Sequence, residues 1–170
     1  MRPTYIPARL FAGRVFQLAP PRTKIVFVCL GNSCRSPMAE AVACKDSADV
    51  IEASSAGLAP LGFVAEMTKA TLTANGYAAD GLSSKPISRE VWDAADIVIN
   101  ISGRPREHAF RNFGKVEDWD IADPYGEDPE VYQKTFEDIR RRVAALTSKL
   151  RSGRSELEQN HRSTTRKRMA

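Results

Sequence analysis

The sequence predicts an α/β fold in which a sheet of buried strands is covered by helices on both faces. Strand-like apolar runs alternate with helix-like segments through most of the 170-residue chain. The sequence shows no internal repeat. The first strand-like run passes into a helix across a short glycine-containing loop, and the last segment has the clearest helical periodicity. A chain with 42% apolar and 27% charged residues is ordinary for one globular domain of this length.

The composition divides the chain into an N-terminal extension (1–23), a body (24–150) and a C-terminal tail (151–170). The extension carries four arginines and no acid, and the tail carries six basic residues against two glutamates, which gives +4 for each. Because the whole chain is also +4, the body has a net charge of −4. The basic charge therefore does not indicate a nucleic-acid-binding domain. Contact of the tails with nucleic acid or anionic lipid is open, but nothing else in the sequence supports it.

The N-terminal extension contains Pro3, Pro7, Pro20 and Pro21, so any regular structure in it would be short. Its arginines and lack of acids suit an organellar transit peptide. A dispensable extension, or a start site placed too early, fits equally well. We expect 1–23 to be poorly ordered and assign it no function.

The first two elements form a strand, a tight loop and a helix. Residues 24–29 (KIVFVC) are an apolar run rich in β-branched residues, which predicts a buried parallel strand. The run ends at Gly31-Asn32. Ser36-Pro37 then favours a helix start, because proline suits the first turn, and 38–44 (MAEAVAC) is good helix material.

The middle of the body alternates in the same way. Residues 50–54 predict a second strand, and 66–75 predict a helix that stops at Asn75-Gly76. A short helix from Ser88 to Trp92 precedes a third buried strand at 96–100. A helix near 104–112 and a short fourth strand at 116–118 complete the pattern.

The last helix is predicted most clearly. Asp128 suits its cap and Pro129 its first turn. Apolar residues then recur at steps of three and four and form one stripe: Tyr132, Phe136, Ile139, Val143, Leu146 and Leu150. After Leu150 the pattern gives way to serine, arginine, glutamine and asparagine, which predicts a disordered tail over 151–170.

The cysteine and histidine content bounds the chemistry. Three cysteines (Cys29, Cys34 and Cys44) without a secretory signal fit a reducing compartment, so we expect a cytoplasmic protein without a disulfide framework. Two histidines (His108 and His161) form no zinc-ligand spacing, and we expect no metal. No apolar run approaches the ~20 residues of a membrane helix, so membrane insertion is not expected.

The loop after the first strand carries the residue types needed to attack a phosphate. Cys29 ends the strand, and Arg35 follows six positions later at the start of a helix. Backbone amides between them can form an anion-binding nest to which the helix dipole adds, and the guanidinium can bind two phosphate oxygens. The same positive surroundings favour a nucleophilic thiolate at Cys29, to which Ser36 could donate a hydrogen bond. The alternative, a buried strand-end cysteine with an unrelated surface arginine, is disfavoured by the strand, glycine and helix signals around them.

Residues 28–41 (VCLGNSCRSPMAEA) resemble the signature of low-molecular-weight protein-tyrosine phosphatases, and Asp123-Pro124-Tyr125 resembles that family's second signature. The resemblance covers 24–150. It implies a single domain with a four-stranded parallel sheet, helices on both faces and a phosphate-binding loop after the first strand. It also implies hydrolysis of phosphate monoesters, foremost protein phosphotyrosine, in two steps through a phosphocysteine, with a phosphorylated protein as substrate and no cofactor.

The resemblance implies a role for individual residues. Cys29 matches the nucleophile, Arg35 the phosphate-binding arginine, and Asp123 the general acid that later acts as base. Without the resemblance, a turn is the favoured interpretation of Asp123-Pro124. The other matches bind phosphate, hold the loop, pair with its asparagine or line the mouth of the site: Leu30, Gly31, Asn32, Ser33, Cys34, Ser36, Ser55 and Tyr125.

Two regions depart from the family's common pattern and leave the substrate open. Ser33 replaces a bulkier aliphatic residue; a small polar residue there resembles bacterial arsenate reductases, and a threonine there resembles bacterial protein-arginine phosphatases. Residues 58–67 (LAPLGFVAEM) lack the usual aromatic and Asp-Pro-Arg-like segment, and Phe63 is the candidate for the aromatic wall.

Three alternatives to a tyrosine phosphatase therefore remain. Arsenate reduction needs further cysteines downstream to relay a disulfide, and the sequence has none after Cys44. A protein-arginine phosphatase would use the same loop. A non-catalytic phosphate-binding module is disfavoured because the nucleophile, the arginine and the acid are all present. Cys34 could also form a reversible disulfide with Cys29 as an oxidation switch. The sequence does not indicate an oligomeric state.

Overall fold

Four strands and five helices alternate along residues 21–168, which are the residues that this computed structural model describes. In chain order they are β1 (Thr23–Cys29), α1 (Arg35–Asp46), β2 (Ile51–Gly57), α2 (Glu66–Ala74), α3 (Arg89–Ala94), β3 (Ile97–Asn100), α4 (Arg106–Ala109), β4 (Val116–Asp118) and α5 (Pro129–Arg168). The predicted α/β class is confirmed. The N-terminal extension lies outside the described residues, except for its last three, and Thr23 already belongs to β1.

The four strands form one parallel sheet in the order β2-β1-β3-β4. β1 is paired with β2 on one side, where Cys29 lies opposite Gly57, and with β3 on the other, where Val28 lies opposite Asn100. After β1 the chain passes to β2 on one side of it, and then crosses back to β3 on the other side. Ligands of open α/β sheets bind beside the carboxyl ends of the strands at such a switch point. The loop that follows Cys29 lies there.

The two faces of the sheet have separate cores, as a fully covered sheet requires. Ile25 and Phe27 of β1 point into the larger core, which contains side chains of α1, α2 and α5. Val26 and Val28 point the opposite way, into a smaller core with side chains of the α3 and α4 regions. The alternation along β1 thus explains why its sequence is a continuous apolar run. The prediction of helices on both faces is confirmed.

The short helices agree with their predicted positions. Ser88 caps α3, because its hydroxyl accepts a hydrogen bond from the Val91 amide (3.2 Å). α2 ends at Ala74, directly before the predicted stop at Asn75-Gly76, and Gly76 has a positive φ of 79°. α4 has only four residues, fewer than the predicted 104–112.

The last helix is longer than its apolar stripe. Its predicted core residues are buried as far as Leu146, but the helix continues to Arg168, where the sequence predicted a disordered tail. Arg151 donates to both carboxylate oxygens of Asp49 (2.8 and 2.7 Å), and Arg154 donates to the carbonyls of Asp49 and Pro21. These polar contacts hold the next turn, and extending an existing helix needs no new nucleation. The prediction failed because it considered the apolar pattern alone.

Within residues 21–168, no helix is both long enough and apolar enough to cross a bilayer.

Candidate active site

The backbone from Cys29 to Arg35 forms a tight loop, which we call the cradle. Carbonyl oxygens of this loop accept hydrogen bonds from the surrounding chain: Cys29 O from Leu58 N (3.0 Å), Leu30 O from Ala59 N (2.8 Å) and Gly31 O from Leu61 N (2.9 Å). In a trans peptide the C=O and the next N–H point in opposite directions. Outward carbonyls therefore turn the following amides inward, and a ring of inward amides is an anion-binding nest.

Two positions allow this tight curl. Asn32 has a φ of +46°, a left-handed conformation that asparagine tolerates better than most residues. Gly57, at the end of β2, passes so close that a Cβ there would lie 2.9 Å from Leu30 O and 3.0 Å from Asn32 N. Any larger residue at 57 would push the loop out of place.

A buried hydrogen-bond chain holds Asn32 in that conformation. Its Nδ2 donates to Ser36 Oγ and to Ser55 Oγ, both at 2.9 Å, and its Oδ1 accepts from the Lys85 amide at 2.8 Å. Ser55 Oγ donates in turn to Glu40 Oε2 (2.5 Å). All hydrogen-bonding positions of the Asn32 amide are thus engaged except one acceptor lone pair.

Cys29 lies at the base of the cradle, with only 2% of its surface exposed. Ser36 Oγ donates a hydrogen bond to its sulfur at 3.0 Å. This is the contact that the sequence predicted, and a donor so placed stabilises a negative sulfur. Ser36 is itself fully buried at the start of α1.

Arg35 and Asp123 come together although 88 residues separate them in the sequence. Arg35 Nη2 donates to Asp123 Oδ2 at 2.5 Å, and Nη1 donates to the Ile121 carbonyl at 3.3 Å. The arginine side chain is 5% exposed and the aspartate side chain 46%. The Arg35 Nε has no hydrogen-bond partner among the described residues, nor has Ser33 Oγ. Two buried polar atoms at the same loop are therefore free to bind a polar ligand.

These residues border one cleft of about 300 Å³. Its floor contains Cys29 and Arg35, and its mouth contains Asp123 and the half-exposed Tyr125. Its lining is Cys29, Leu30, Gly31, Ser33, Cys34, Arg35, Ala59, Leu61, Asp123 and Tyr125. Phe63, the candidate for the aromatic wall, is not among them, and Leu61 lies there instead against Gly31.

Cys34 is the second thiol of the loop. Burial raises the pKa of this thiol, although contacts with Thr68 and the Tyr132 hydroxyl (3.6 Å) partly oppose the effect. Burial also raises the pKa of the Tyr132 hydroxyl. Cys34 is therefore favoured as a neutral thiol in the same loop as Cys29. Both Cys29 and Cys34 are free thiols here, and a disulfide between them stays a prediction.

The structure brings all the predicted site residues to this loop or its rim. Asn32, Ser36 and Ser55 form the supporting chain, and the remaining ones line the cleft. Sequence reasoning missed two contributors to the chain, Glu40 and the Lys85 amide. Glu40 left one signal, because it stands four residues after Ser36 and so shares its helix face. A backbone amide leaves no signal in a sequence.

Comparison with known proteins gives one family. Residues 24–157 match the model of the low molecular weight phosphotyrosine protein phosphatase family. A glutaredoxin arsenate reductase of Synechocystis is 34% identical and covers 75% of this chain and 98% of its own. A probable low molecular weight protein-tyrosine-phosphatase of Ralstonia nicotianae is 28% identical and covers 75% of this chain and 96% of its own. The solved structure of an arginine phosphatase from Geobacillus stearothermophilus superposes with a TM-score of 0.72 at 28% identity, over 79% of this chain and 96% of that one.

Proposed function

We propose that this chain hydrolyses phosphate monoesters of proteins, foremost phosphotyrosine, through a phosphocysteine at Cys29. The premise is that the chain belongs to the low molecular weight phosphotyrosine protein phosphatase family. One observation carries the proposal: the Cys29 sulfur lies at the floor of a cleft that also contains a buried arginine and a half-exposed carboxylate. Nucleophile, anion site and proton donor thus face one small volume.

In the first step the Cys29 thiolate attacks phosphorus while the bond from phosphorus to the tyrosine oxygen breaks. The inward amides and the Arg35 guanidinium bind the phosphoryl oxygens, whose charge is spread over them in the transition state. The Asp123 carboxyl gives its proton to the leaving oxygen, so that a phenol departs instead of a phenolate.

In the second step a water molecule attacks the phosphocysteine. The Asp123 carboxylate takes a proton from that water, the phosphorus–sulfur bond breaks, and inorganic phosphate leaves. Sulfur departs as a thiolate, which accepts the hydrogen bond from Ser36 Oγ. The Cys29 thiolate and the protonated Asp123 carboxyl are both restored, so the protein ends in its starting protonation state.

The Arg35–Asp123 contact fits a change of partner during this cycle. Arg35 Nη2 is the group that holds the Asp123 carboxylate, and it is also one of the donors that a phosphate would need. A dianionic phosphate in the cradle competes for that donor. Substrate binding would then free the Asp123 carboxylate, which takes up a proton from solvent and turns toward the leaving group.

The walls of the cleft suit a flat apolar ring. Leu61 and Ala59 contribute aliphatic surface, and Tyr125 contributes an aromatic face at the mouth. A phosphotyrosine ring is long enough to carry its phosphate past these walls to the cradle, whereas the side chains of phosphoserine and phosphothreonine are shorter. Aromatic and aliphatic contacts of this kind contribute binding energy mainly through buried apolar area.

Phosphoarginine is a second candidate substrate, and Ser33 favours it. The Ser33 hydroxyl is buried in the cleft lining without a partner among the described residues. A phosphoarginine guanidino group could donate an N–H to that oxygen, whereas a phosphotyrosine ring would leave it unpaired, at a cost of about 1–3 kcal/mol. The arginine phosphatase among the similar structures supports testing this substrate.

A substrate panel tests the proposal. Purified protein is assayed with p-nitrophenyl phosphate, a phosphotyrosine peptide and a phosphoarginine peptide, and with arsenate plus a thiol reductant. We expect turnover of phosphotyrosine at the highest kcat/KM and no reduction of arsenate. Preference for phosphoarginine, with a larger loss for that substrate in Ser33→Ala, would transfer the proposal to the second candidate. No turnover of any phosphorylated substrate, or arsenate reduction alone, would refute it.

A further inference from the structure

Glu40 lies behind the phosphate cradle, at the far end of the hydrogen-bond chain that reaches Cys29. It stands one turn after Ser36 on α1, so both side chains share one helix face. It is half-buried and borders a second groove, of about 490 Å³, formed by α1 and residues 76–82. It does not line the catalytic cleft and therefore cannot touch a substrate there.

The orientation of the Asn32 amide determines which groups donate and which accept along this hydrogen-bond chain. Its Oδ1 accepts from the Lys85 amide, which can only donate. A flipped amide would place two donors face to face, so the observed orientation is the favourable one. Nδ2 then donates both its hydrogens, one to Ser36 Oγ and one to Ser55 Oγ. Each serine accepts from Asn32 and has a single hydrogen left to donate.

The two remaining hydrogens go to the two ends of the chain. The Ser55 hydrogen goes to the Glu40 carboxylate, which can only accept. The Ser36 hydrogen goes to the Cys29 sulfur at 3.0 Å, although the Ala56 carbonyl lies at 3.3 Å as a competing acceptor. Small movements of Ser36 therefore decide whether the sulfur keeps its donor.

We propose that Glu40 is a positioning residue for the nucleophile. Its carboxylate anchors Ser55, and through Asn32 it keeps the Ser36 hydrogen on the Cys29 sulfur. A charged acceptor holds the Ser55 hydroxyl more firmly than a neutral one, so Ser55 stays in place to accept from Asn32. Without that acceptor, the fully buried Ser55 hydroxyl loses its partner and the left-handed Asn32 loses part of its support. The inference rests on the proposed function, because it concerns the same nucleophile.

The test compares Glu40→Ala with Glu137→Ala, in a Cys44→Ser background that removes the exposed thiol. Glu137 is a matched control: it is an exposed helical glutamate that accepts one side-chain hydrogen bond, from Gln133. The first readout is the rate at which iodoacetate alkylates Cys29 as a function of pH, with the site located by mass spectrometry. Arg35 and Asp123, the charged groups beside the sulfur, are the same in both variants.

We expect the pH midpoint of alkylation to rise by about 0.5–1 unit in Glu40→Ala and to stay in place in Glu137→Ala. With p-nitrophenyl phosphate, kcat should fall about 3- to 10-fold while KM changes less than about 2-fold, since Arg35 and the loop's hydrogen bonds to 58–61 are unchanged. Glu40→Gln keeps an acceptor oxygen and should recover most of the loss. Equal midpoints in Glu40→Ala and the control would overturn the inference.

Ser55→Ala removes the same Ser55–Glu40 hydrogen bond through its donor. It replaces Glu40→Ala in the test if that variant does not fold. It should raise the alkylation midpoint in the same direction. If both residues act through one chain, the double variant is no worse than the more damaging single variant. Fully additive shifts would show that Glu40 acts by another route and would contradict the inference. If no phosphorylated substrate is turned over, the proposed function fails, whereas the alkylation profiles still decide the role of Glu40.

Discussion

The proposed nucleophile and the proposed acid of the candidate site are held in different ways. Cys29 is buried in a loop whose carbonyls are hydrogen-bonded to the neighbouring segment 58–61 and whose asparagine is held on three sides. The side chain of Asp123 is 46% exposed, and the hydrogen bonds to its carboxylate come from Arg35 and from the Tyr125 amide. The first region is therefore organised before substrate arrives.

The comparison shows why the two groups differ in freedom. The nucleophile must meet phosphorus in line, so small displacements of the sulfur are costly. In the proposed mechanism the acid serves two steps, first as a donor and then as a base, and must change its partner between them. A rigid loop suits the first task, and an exposed carboxylate with one strong contact suits the second.

The largest expected effect comes from the rigid region. Cys29→Ser replaces the thiolate with a neutral hydroxyl, and we expect kcat with p-nitrophenyl phosphate to fall at least about 10⁴-fold. Circular dichroism should show a folded protein, because the two side chains are close in size. Activity within about tenfold of wild type would contradict Cys29 as the nucleophile.

The next effect comes from the exposed region. Asp123→Asn removes the proton donor, and we expect kcat with a phosphotyrosine peptide to fall about 10²- to 10⁴-fold. The loss should be smaller with p-nitrophenyl phosphate, whose leaving group needs little protonation. Equal losses with the two substrates would contradict the acid role.

The same variant tests the change of partner at Arg35. Without the carboxylate, inorganic phosphate no longer competes with an anion for the guanidinium. The inhibition constant of phosphate should therefore be about 3- to 10-fold lower in Asp123→Asn than in wild type. A change of this size corresponds to about one charge-assisted hydrogen bond. Weaker inhibition by phosphate would show that the contact does not compete with the ligand.

A third change tests how much the rigid loop depends on Asn32. Asn32→Ala removes the buried hydrogen bonds and keeps an unfavourable positive φ, so we expect about 2–4 kcal/mol of lost stability and a kcat about 10- to 100-fold lower. Asn32→Gly accepts that φ and should be about 1 kcal/mol more stable than Asn32→Ala. Urea unfolding measures both. Equal stability of the two variants would show that the positive φ at position 32 does not contribute to the loss of stability.

The smallest expected effect lies at the mouth of the cleft. Tyr125 is 52% exposed, so Tyr125→Ala removes a wall without disturbing the core. We expect KM for a phosphotyrosine peptide to rise about 3- to 10-fold with kcat almost unchanged, because contacts to the ring are alike in ground and transition states. A fall in kcat at constant KM would place Tyr125 in the chemistry instead.

The sequence predicted the rigid region well because its determinants are local. An apolar run, a glycine, an asparagine and a helix start within 24–44 specify the strand, the curl and the helix that build the cradle. The acid role of Asp123 was predicted from the resemblance to a family, since Asp-Pro alone favours a turn. Its meeting with Arg35 depends on the sheet order, which no local pattern records.

The predictions that failed also depended on contacts between distant parts of the sequence. Phe63 was expected at the cleft wall, but the path of the 58–65 loop places Leu61 there. The turn of α5 that follows Leu150 is held by Arg151 and Arg154, which contact the 46–49 turn and Pro21, more than a hundred positions earlier. Such contacts are set by tertiary structure, and residue patterns within one segment do not reveal them.

Trapping the covalent intermediate tests the central claim most directly. Protein is mixed with p-nitrophenyl phosphate, quenched within the first turnover and digested, and the peptides are analysed by mass spectrometry. The account predicts the mass of one phosphoryl group on the peptide containing Cys29, absent from Cys29→Ser and removed when turnover is complete. A burst of p-nitrophenol with the phosphoryl group on another residue would contradict the assignment of Cys29 as the nucleophile.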